Sequence, residues 1–212
     1  EEIAEKVELL NIAPILKEKG FSAEDLYFNT KIGFGFNYVD KSLDITHDND
    51  AMGEHGSHVE GISAANAYIP QEDGTFLNAY EKIKMQGVAP DAQIITMKVF
   101  GKAGGAYVSD YMAAIEDAIV LGCDSVNLSL GSGNPGTSRT DNEVYAAVME
   151  NLVNSDTVVT MSAGNSGHWA EHTVHKGLYD DGISFDEAGS PGSYTNSLSV
   201  ASVNNSGYVG SF

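Results

Sequence analysis

The sequence is short of positive charge, of cysteine and of long apolar runs, and each shortage closes off a class of function. Its 212 residues carry 11 Lys and Arg against 30 Asp and Glu, a formal net charge of −19. So acidic a surface repels phosphate backbones, which argues against nucleic acid as a partner. It is compatible with solubility, cationic ligands or loosely held calcium, and does not choose among them. The single cysteine, Cys123, rules out an internal disulfide framework. It lies in an apolar stretch before an expected strand and reads as a buried, inert thiol rather than a reactive one. No apolar run approaches the roughly 18 residues needed to span a bilayer, so no membrane segment is expected within this chain. The N-terminus shows no signal-peptide pattern and starts abruptly at Glu1-Glu2, as an internal cut would.

What is present is an ordinary apolar share of 42% and 23 glycines, enough chain to bury a core and to make many tight turns. Ile3, Val7, Leu10 and Ile15 have helical spacing over 3–19, with Pro14 as the expected kink or break. Phe34, Phe36 and Tyr38 alternate as in a short strand, and the acidic run from Asp44 to Asp50 is expected to be exposed. From there the pattern is regular: strand over 92–100, helix over 109–121 ending at Gly122, strand over 124–130. A capping box, Thr140-Asp141-Asn142-Glu143, opens a helix to about Leu152, followed by strands over 157–163 and 197–203. Alternating strands and helices predict right-handed crossovers on a parallel sheet, an α/β fold. With no repeat and no Pro- or Ser-rich linker, one domain is expected. Two excursions interrupt the order, residues 67–86 and a His-, Asp- and Gly-rich loop over 167–189; loops of that length are usually functional or mobile.

Three segments carry chemistry. Glu54-His55-Gly56-Ser57-His58-Val59-Glu60-Gly61-Ile62 places an imidazole before a small residue and a helix-capable segment, at the lip of a sheet. A metal reading of His55 with His58 lacks a third ligand at zincin spacing. Met161-Ser162-Ala163-Gly164-Asn165-Ser166-Gly167 leaves the end of a strand, where open α/β folds build their sites; flanking glycines leave the Asn165 amide free to meet a developing oxyanion. Val126-Asn127-Leu128-Ser129-Leu130-Gly131 ends a strand in small residues, leaving an edge open to an extended peptide. Each alone has a bland alternative, as a polar turn or a satisfied surface residue.

In order and rough spacing, these three, together with Gly87-Val88-Ala89-Pro90-Asp91-Ala92, resemble the landmarks of the subtilisin-like serine peptidases. The resemblance runs from about Lys31 to Phe212. It points in particular to the large lactocepin-type and complement-cleaving cell-envelope peptidases of Gram-positive bacteria, where a segment like Lys31-Ile-Gly-Phe-Gly-Phe-Asn-Tyr-Val-Asp40 also precedes the histidine. It implies a subtilisin-like parallel sheet flanked by helices, hydrolysis of an extended peptide or protein substrate, and a secreted or cell-surface location in a bacterium. His55 matches the general base and Asn165 the side-chain oxyanion donor, while His58 matches a structural histidine. Ser129-Leu130-Gly131 and Ser162-Ala163-Gly164 match the two walls of the pocket for the residue before the scissile bond, and Gly189 its base. Small residues there would leave room for a large side chain. Gly104 and Gly105 match the edge holding residues further upstream in the substrate.

The pattern also breaks. None of Asp25, Asp40, Asp44, Asp48 or Asp50 ends an apolar strand before Thr-Gly or Ser-Gly, as the triad aspartate does. No Gly-Thr-Ser-Met-Ala follows Asn165, and Gly136-Thr137-Ser138-Arg139 stands in the wrong chain order, so Ser138 is expected to be an exposed loop residue. The expectation is a partial peptidase domain over 1–212, lacking the Asp strand and the Ser helix and ending near an inserted-domain position. Its partners would be the rest of its parent chain or, through exposed core, another copy; alone it should be inactive. The alternative is a non-catalytic peptide-binding module with the same cleft. A metal protein using His55, His58, His168, His172 and His175 is a third reading. The chemistry requires no cofactor, but Asp180, Asp181 and Asp186 offer hard oxygen ligands for a structural calcium.

Overall fold

A computed structural model describes residues 2–48, 50–135, 143–165, 188–194 and 198–208. The chain divides into two compact units, Glu1–Leu121 and Gly122–Phe212.

In the first unit, helix α1 (Glu2–Lys6) passes through a 3-10 turn (Val7–Leu9) before helix α2 (Ala13–Lys19) begins. The helical stretch therefore breaks ahead of Pro14, which sits in the first turn of α2, where a missing N–H costs nothing. Gly20 ends α2 in a left-handed conformation at φ 70°, its N–H bonded to the Lys17 carbonyl. Strand β1 (Ile32–Asn37) carries the predicted alternation: Phe34, Phe36 and, just beyond, Tyr38 are fully buried, with Phe36 and Tyr38 meeting edge to face at 5.4 Å. Its other face is covered too. A methyl group on Gly35 would come 2.7 Å from the Phe28 ring and 2.8 Å from Ile45, so those side chains would have to shift to admit it.

Helix α3 (His55–Ala64) follows, then the antiparallel hairpin β2 (Tyr68–Pro70) and β3 (Phe76–Asn78). Helix α4 (Ala79–Ile83) comes next, capped by the Asn78 side chain, which accepts the Glu81 N–H. The excursion over 67–86 is thus structured rather than a plain loop. Strand β4 (Ile94–Lys98) pairs in parallel with β1, and helix α5 (Val108–Leu121) packs its Met112, Ile115 and Leu121 into the core.

Asp117 on α5 is wholly buried and accepts hydrogen bonds from the Asn11 N–H at 2.6 Å and the Tyr38 hydroxyl at 2.9 Å. It ties the segment between α1 and α2 to β1. Burial pushes its pKa up, against the lowering effect of those donors.

The second unit holds β5 (Ser125–Leu128), β6 (Ser132–Pro135), α6 (Glu143–Val153), β7 (Val158–Ser162), β8 (Gly189–Ser190) and β9 (Leu198–Val200). β5, β7 and β9 form a parallel three-stranded sheet in that order, and β6 pairs with β8 antiparallel. Leu128, Val148, Met149, Leu152, Val159 and Met161 make its core. The expected α/β class, with parallel strands and flanking helices, is what forms. Cys123 is half-buried rather than fully enclosed. Thr140, Asp141 and Asn142 of the capping box lie outside the described residues.

The Asp117 carboxyl makes a pH prediction with a definite sign. An unfolded aspartate titrates near pH ~3.9. Because its folded pKa is raised, its contribution to stability is complete below that value and is lost as pH climbs through the folded one. Asp117→Asn should therefore flatten the fall in urea midpoint as pH rises above about pH 4. Asp117→Ala, which leaves the Tyr38 hydroxyl and Asn11 N–H without their acceptor, should cost about 1–3 kcal/mol in the same titration.

Candidate active site

His55 is the first residue of α3 and is exposed, as the sequence suggested for an imidazole at a helix start. His58, one turn on, is exposed as well. The run that precedes them is exposed at Asp44, Thr46, His47 and Asp48, as expected, but it ends on an enclosed acid. The Asp50 side chain is only 8% exposed and pairs with Lys98, itself 11% exposed, at the end of β4. The Lys98 ammonium also donates to the Thr46 carbonyl at 2.6 Å, and the Ala51 N–H donates to the Lys102 carbonyl at 3.1 Å. A buried acid in an acidic run has to be paired, and the partner comes from a distant strand.

Gly104 and Gly105 form the turn after β4: the Gly104 N–H bonds the Gly101 carbonyl at 2.8 Å, and the Gly101 N–H bonds the Gly105 carbonyl at 2.9 Å. Gly104 has φ 84°, and a methyl there would stand 3.0 Å from the Ala51 methyl. This candidate substrate edge thus lies directly against the segment that enters α3. Beyond His55, half-buried Glu60 accepts a hydrogen bond from the Thr96 hydroxyl at 2.8 Å, and burial raises its pKa.

In the second unit, both expected pocket walls and the expected base converge at the carboxyl ends of β5 and β7. The Ser162 hydroxyl donates to the Leu130 carbonyl at 2.9 Å, joining one wall to the other. The Gly189 N–H donates to the Ala163 carbonyl at 2.8 Å, joining base to wall. Ser129 and Leu130 are half-buried and Gly131 is exposed; a methyl on Gly131 would stand 3.4 Å from the Ser190 carbonyl oxygen. Gly164 has φ 93°, a backbone turn that glycine adopts without strain, and it delivers Asn165 exposed at the end of the wall. Gly192 packs so tightly beneath Ser162 that a methyl group there would overlap the Ser162 carbonyl.

Sequence reading missed Asp50, Lys98, Glu60 and Thr96, and also a 3.1 Å contact between His47 Nδ1 and the Ser57 hydroxyl. Ser138, His168, His172, His175, Asp180, Asp181 and Asp186 lie outside the described residues. Among the described residues, no group of three or more His, Cys, Asp or Glu is placed to hold a metal, and no helix is long and apolar enough to cross a membrane.

The subtilase family matches residues 18–212. The chain belongs to the subtilase family. This subtilase chain is 36% identical over 189 residues to the PI-type proteinase of Lactococcus lactis subsp. cremoris, covering 86% of the chain and 9% of that relative. It is 31% identical over 140 residues to the minor extracellular protease Vpr of Bacillus subtilis, covering 63% of the chain and 15% of the relative. Among solved structures, the epidermin leader peptide processing serine protease of Staphylococcus aureus aligns with a TM-score of 0.56 at 22% identity, over 88% of this chain and 45% of that one. That likeness shows a shared fold. The subtilase chain thus spans a small part of the length of these curated relatives.

The tight seat of Gly192 gives a test of the floor beneath Ser162. Gly192→Ala should force the Ser162 carbonyl aside at a cost of about 1–3 kcal/mol. Amide shifts at Ser162, Ala163 and Gly189 should move with it. A denaturation midpoint and amide spectrum unchanged from the parent would show that the floor is not packed as described.

Proposed function

We propose that this chain is the middle segment of a serine endopeptidase, in which His55 is the general base and Asn165 the oxyanion donor. One observation carries the reading: the backbones of Ser129–Gly131, Ser162–Gly164 and Gly189 are drawn together by the Ser162–Leu130 and Gly189–Ala163 hydrogen bonds, with Asn165 exposed at their end. Small residues on converging backbone leave peptide groups free to pair with an extended substrate. Asn165 supplies a neutral N–H donor that needs no reorganisation when negative charge develops on a carbonyl oxygen.

His55, exposed at the helix start, would take the proton of a serine hydroxyl and return it to the leaving amine. The serine and the aspartate that orients the imidazole are assigned to other parts of the parent protein. The chain alone would then be inactive, because an imidazole without its nucleophile and orienting carboxylate has no reaction to assist. Exposed apolar side chains support a partial domain: Ile62 on α3, and Leu198 and Val200 on β9, are all more than half exposed. Structural calcium belongs to the same reading, as does secretion, which the extracellular Bacillus relative supports.

The test uses a fluorophosphonate probe on this chain and on the full-length protein of its gene, read by intact mass. Labelling of the full-length protein alone supports the reading. Labelling of this chain, mapped to Ser138, would overturn the motif assignment, and no labelling of either would favour a peptide-binding module. In the full-length enzyme, Asn165→Ala should lower kcat by about 10²–10³, a magnitude taken over from subtilisin itself. His55→Ala should cost more and abolish labelling.

A further inference from the structure

Thr96 and Lys98 are two apart on β4, so their side chains leave the strand on the same face. They grip the chain on opposite sides of His55. Lys98 holds what comes before it, through the Asp50 carboxylate and the Thr46 carbonyl. Thr96 holds what comes after it, through Glu60. The segment that these anchors bound is only eleven residues, Asp50 to Glu60, and His55 stands at its centre. Ser57 meets His47 at 3.1 Å, and α3 is also tied at its far end, where the Val88 and Ala89 N–H groups donate to the Ile62 and Ser63 carbonyls at 3.0 and 2.8 Å. Its N-cap, Glu54, makes no side-chain capping bond, and Gly56 and Gly61 lower its intrinsic helicity.

We infer that Lys98 and Thr96 are positioning residues for His55: one face of β4 sets the height and angle at which the imidazole is presented. This rests on the peptidase reading for its effect on rate, though not for its effect on His55 itself. Lys98 acts through Asp50 and touches no reacting atom. Its ammonium is nearly enclosed, so replacing it with an apolar side chain leaves the Asp50 carboxylate buried without its cation. The segment from Thr46 to Asp50 must then move outward, and His55 with it. Misplacement by about 1 Å costs on the order of 100-fold in rate.

The contact of Gly104 with Ala51 extends the consequence to substrate binding. The candidate edge at 104–105 leans on the same segment that Lys98 holds. A shift there should disturb upstream substrate residues less than it disturbs the imidazole, because the 101–105 turn has its own internal hydrogen bonds.

The experiment compares Lys98→Met, Lys98→Arg and Thr96→Val in the full-length protein, with Lys41→Met as a control. Lys41 pairs with Asp110 and donates to the Tyr38 carbonyl, and it holds neither Asp50 nor Glu60. Two readouts are taken: peptide hydrolysis, resolved into kcat and KM, and the NMR titration of the 13C-labelled His55 imidazole. Lys98→Met should lower kcat by about 10- to 100-fold with KM within about threefold. It should also displace the His55 resonance and its titration midpoint, and Lys98→Arg should recover most of both. Thr96→Val should act in the same direction more weakly, and it keeps the inference testable if Lys98→Met does not fold. Lys41→Met should leave kcat within about twofold of the parent. If the folded Lys98 and Thr96 variants leave kcat and the His55 titration unchanged, the inference is overturned. If the parent protein itself neither hydrolyses peptide nor labels, the peptidase reading fails separately. The His55 titration of Lys98→Met then decides the positioning claim alone, and an unmoved curve sinks it.

Discussion

The route of the chain into His55 depends on what happens to polar groups at the ends of two paired parallel strands. β1 and β4 are apolar along their length apart from Thr96, but their last partners in register are Asn37 and Lys98. Asn37 is almost fully buried and has its amide filled. Its Nδ2 donates to the Asp40 carboxylate at 2.9 Å and the Asp44 carbonyl at 3.2 Å, while its Oδ1 accepts the Val39 and Asp40 N–H groups. Asp40 in turn accepts the Lys102 N–H at 2.9 Å. Leaving one such amide buried without partners would cost about 1–3 kcal/mol. The chain satisfies it by turning sharply after β1, and the turn brings residues 44–50 within reach of Lys98. The turn after β1, the turn after β4 and the entry to α3 are therefore one connected polar arrangement.

That arrangement explains what the sequence discloses and what it hides. Strands and helices came through because their signals are local: alternation at Phe34, Phe36 and Tyr38, helical spacing through α5, β-branched runs at β4 and β7. Parallel pairing followed from the alternation of elements, since a strand–helix–strand crossover has few other solutions. Pro14 marked the break itself, but not how far ahead of it the α-helix stops, because residues 7–12 keep helical spacing. Leu10 and Ile12 are buried, and Asn11 spends its N–H on Asp117, more than a hundred positions away. Asp50 was misread for the same reason. In a run of acids nothing local marks the one whose cation sits on a strand 48 positions later. The hairpin over 68–78 was hidden by its length, with strands too short for alternation to show.

The close backbone junctions around the candidate pocket were more legible than the charge pairs around β4, and the difference is steric. Where backbone meets backbone, only certain residues fit, and they appear in the sequence as glycine: Gly164 at φ 93°, Gly189 bonded to Ala163, Gly192 beneath Ser162. A motif is the trace of such a constraint. Gly192 closes the same Gly-Ser-Pro-Gly segment as Gly189, but its contact with Ser162 lies thirty positions back along the chain and is not marked in the sequence. Charge pairs leave still less, since an ammonium can serve any carboxylate within reach.

α3 brings the two kinds of constraint together. Gly56 and Gly61 stand in open space, where an added methyl would meet no atom within 4 Å among the described residues. Each costs the helix roughly 1 kcal/mol relative to alanine. Nothing in their own unit requires that cost. A glycine in a helix is useful where another backbone or a ligand must approach closely, and a helix that opens with an exposed imidazole and shows Ile62 to solvent is suited to such an approach. Its stability then cannot come from propensity or from an amphipathic face. It comes from its neighbours: Glu60 on Thr96, the buried Lys98 pair just upstream, and the Val88 and Ala89 N–H groups on the Ile62 and Ser63 carbonyls. The same openness that would admit a nucleophile and a substrate to His55 makes the helix dependent on those neighbours for its place.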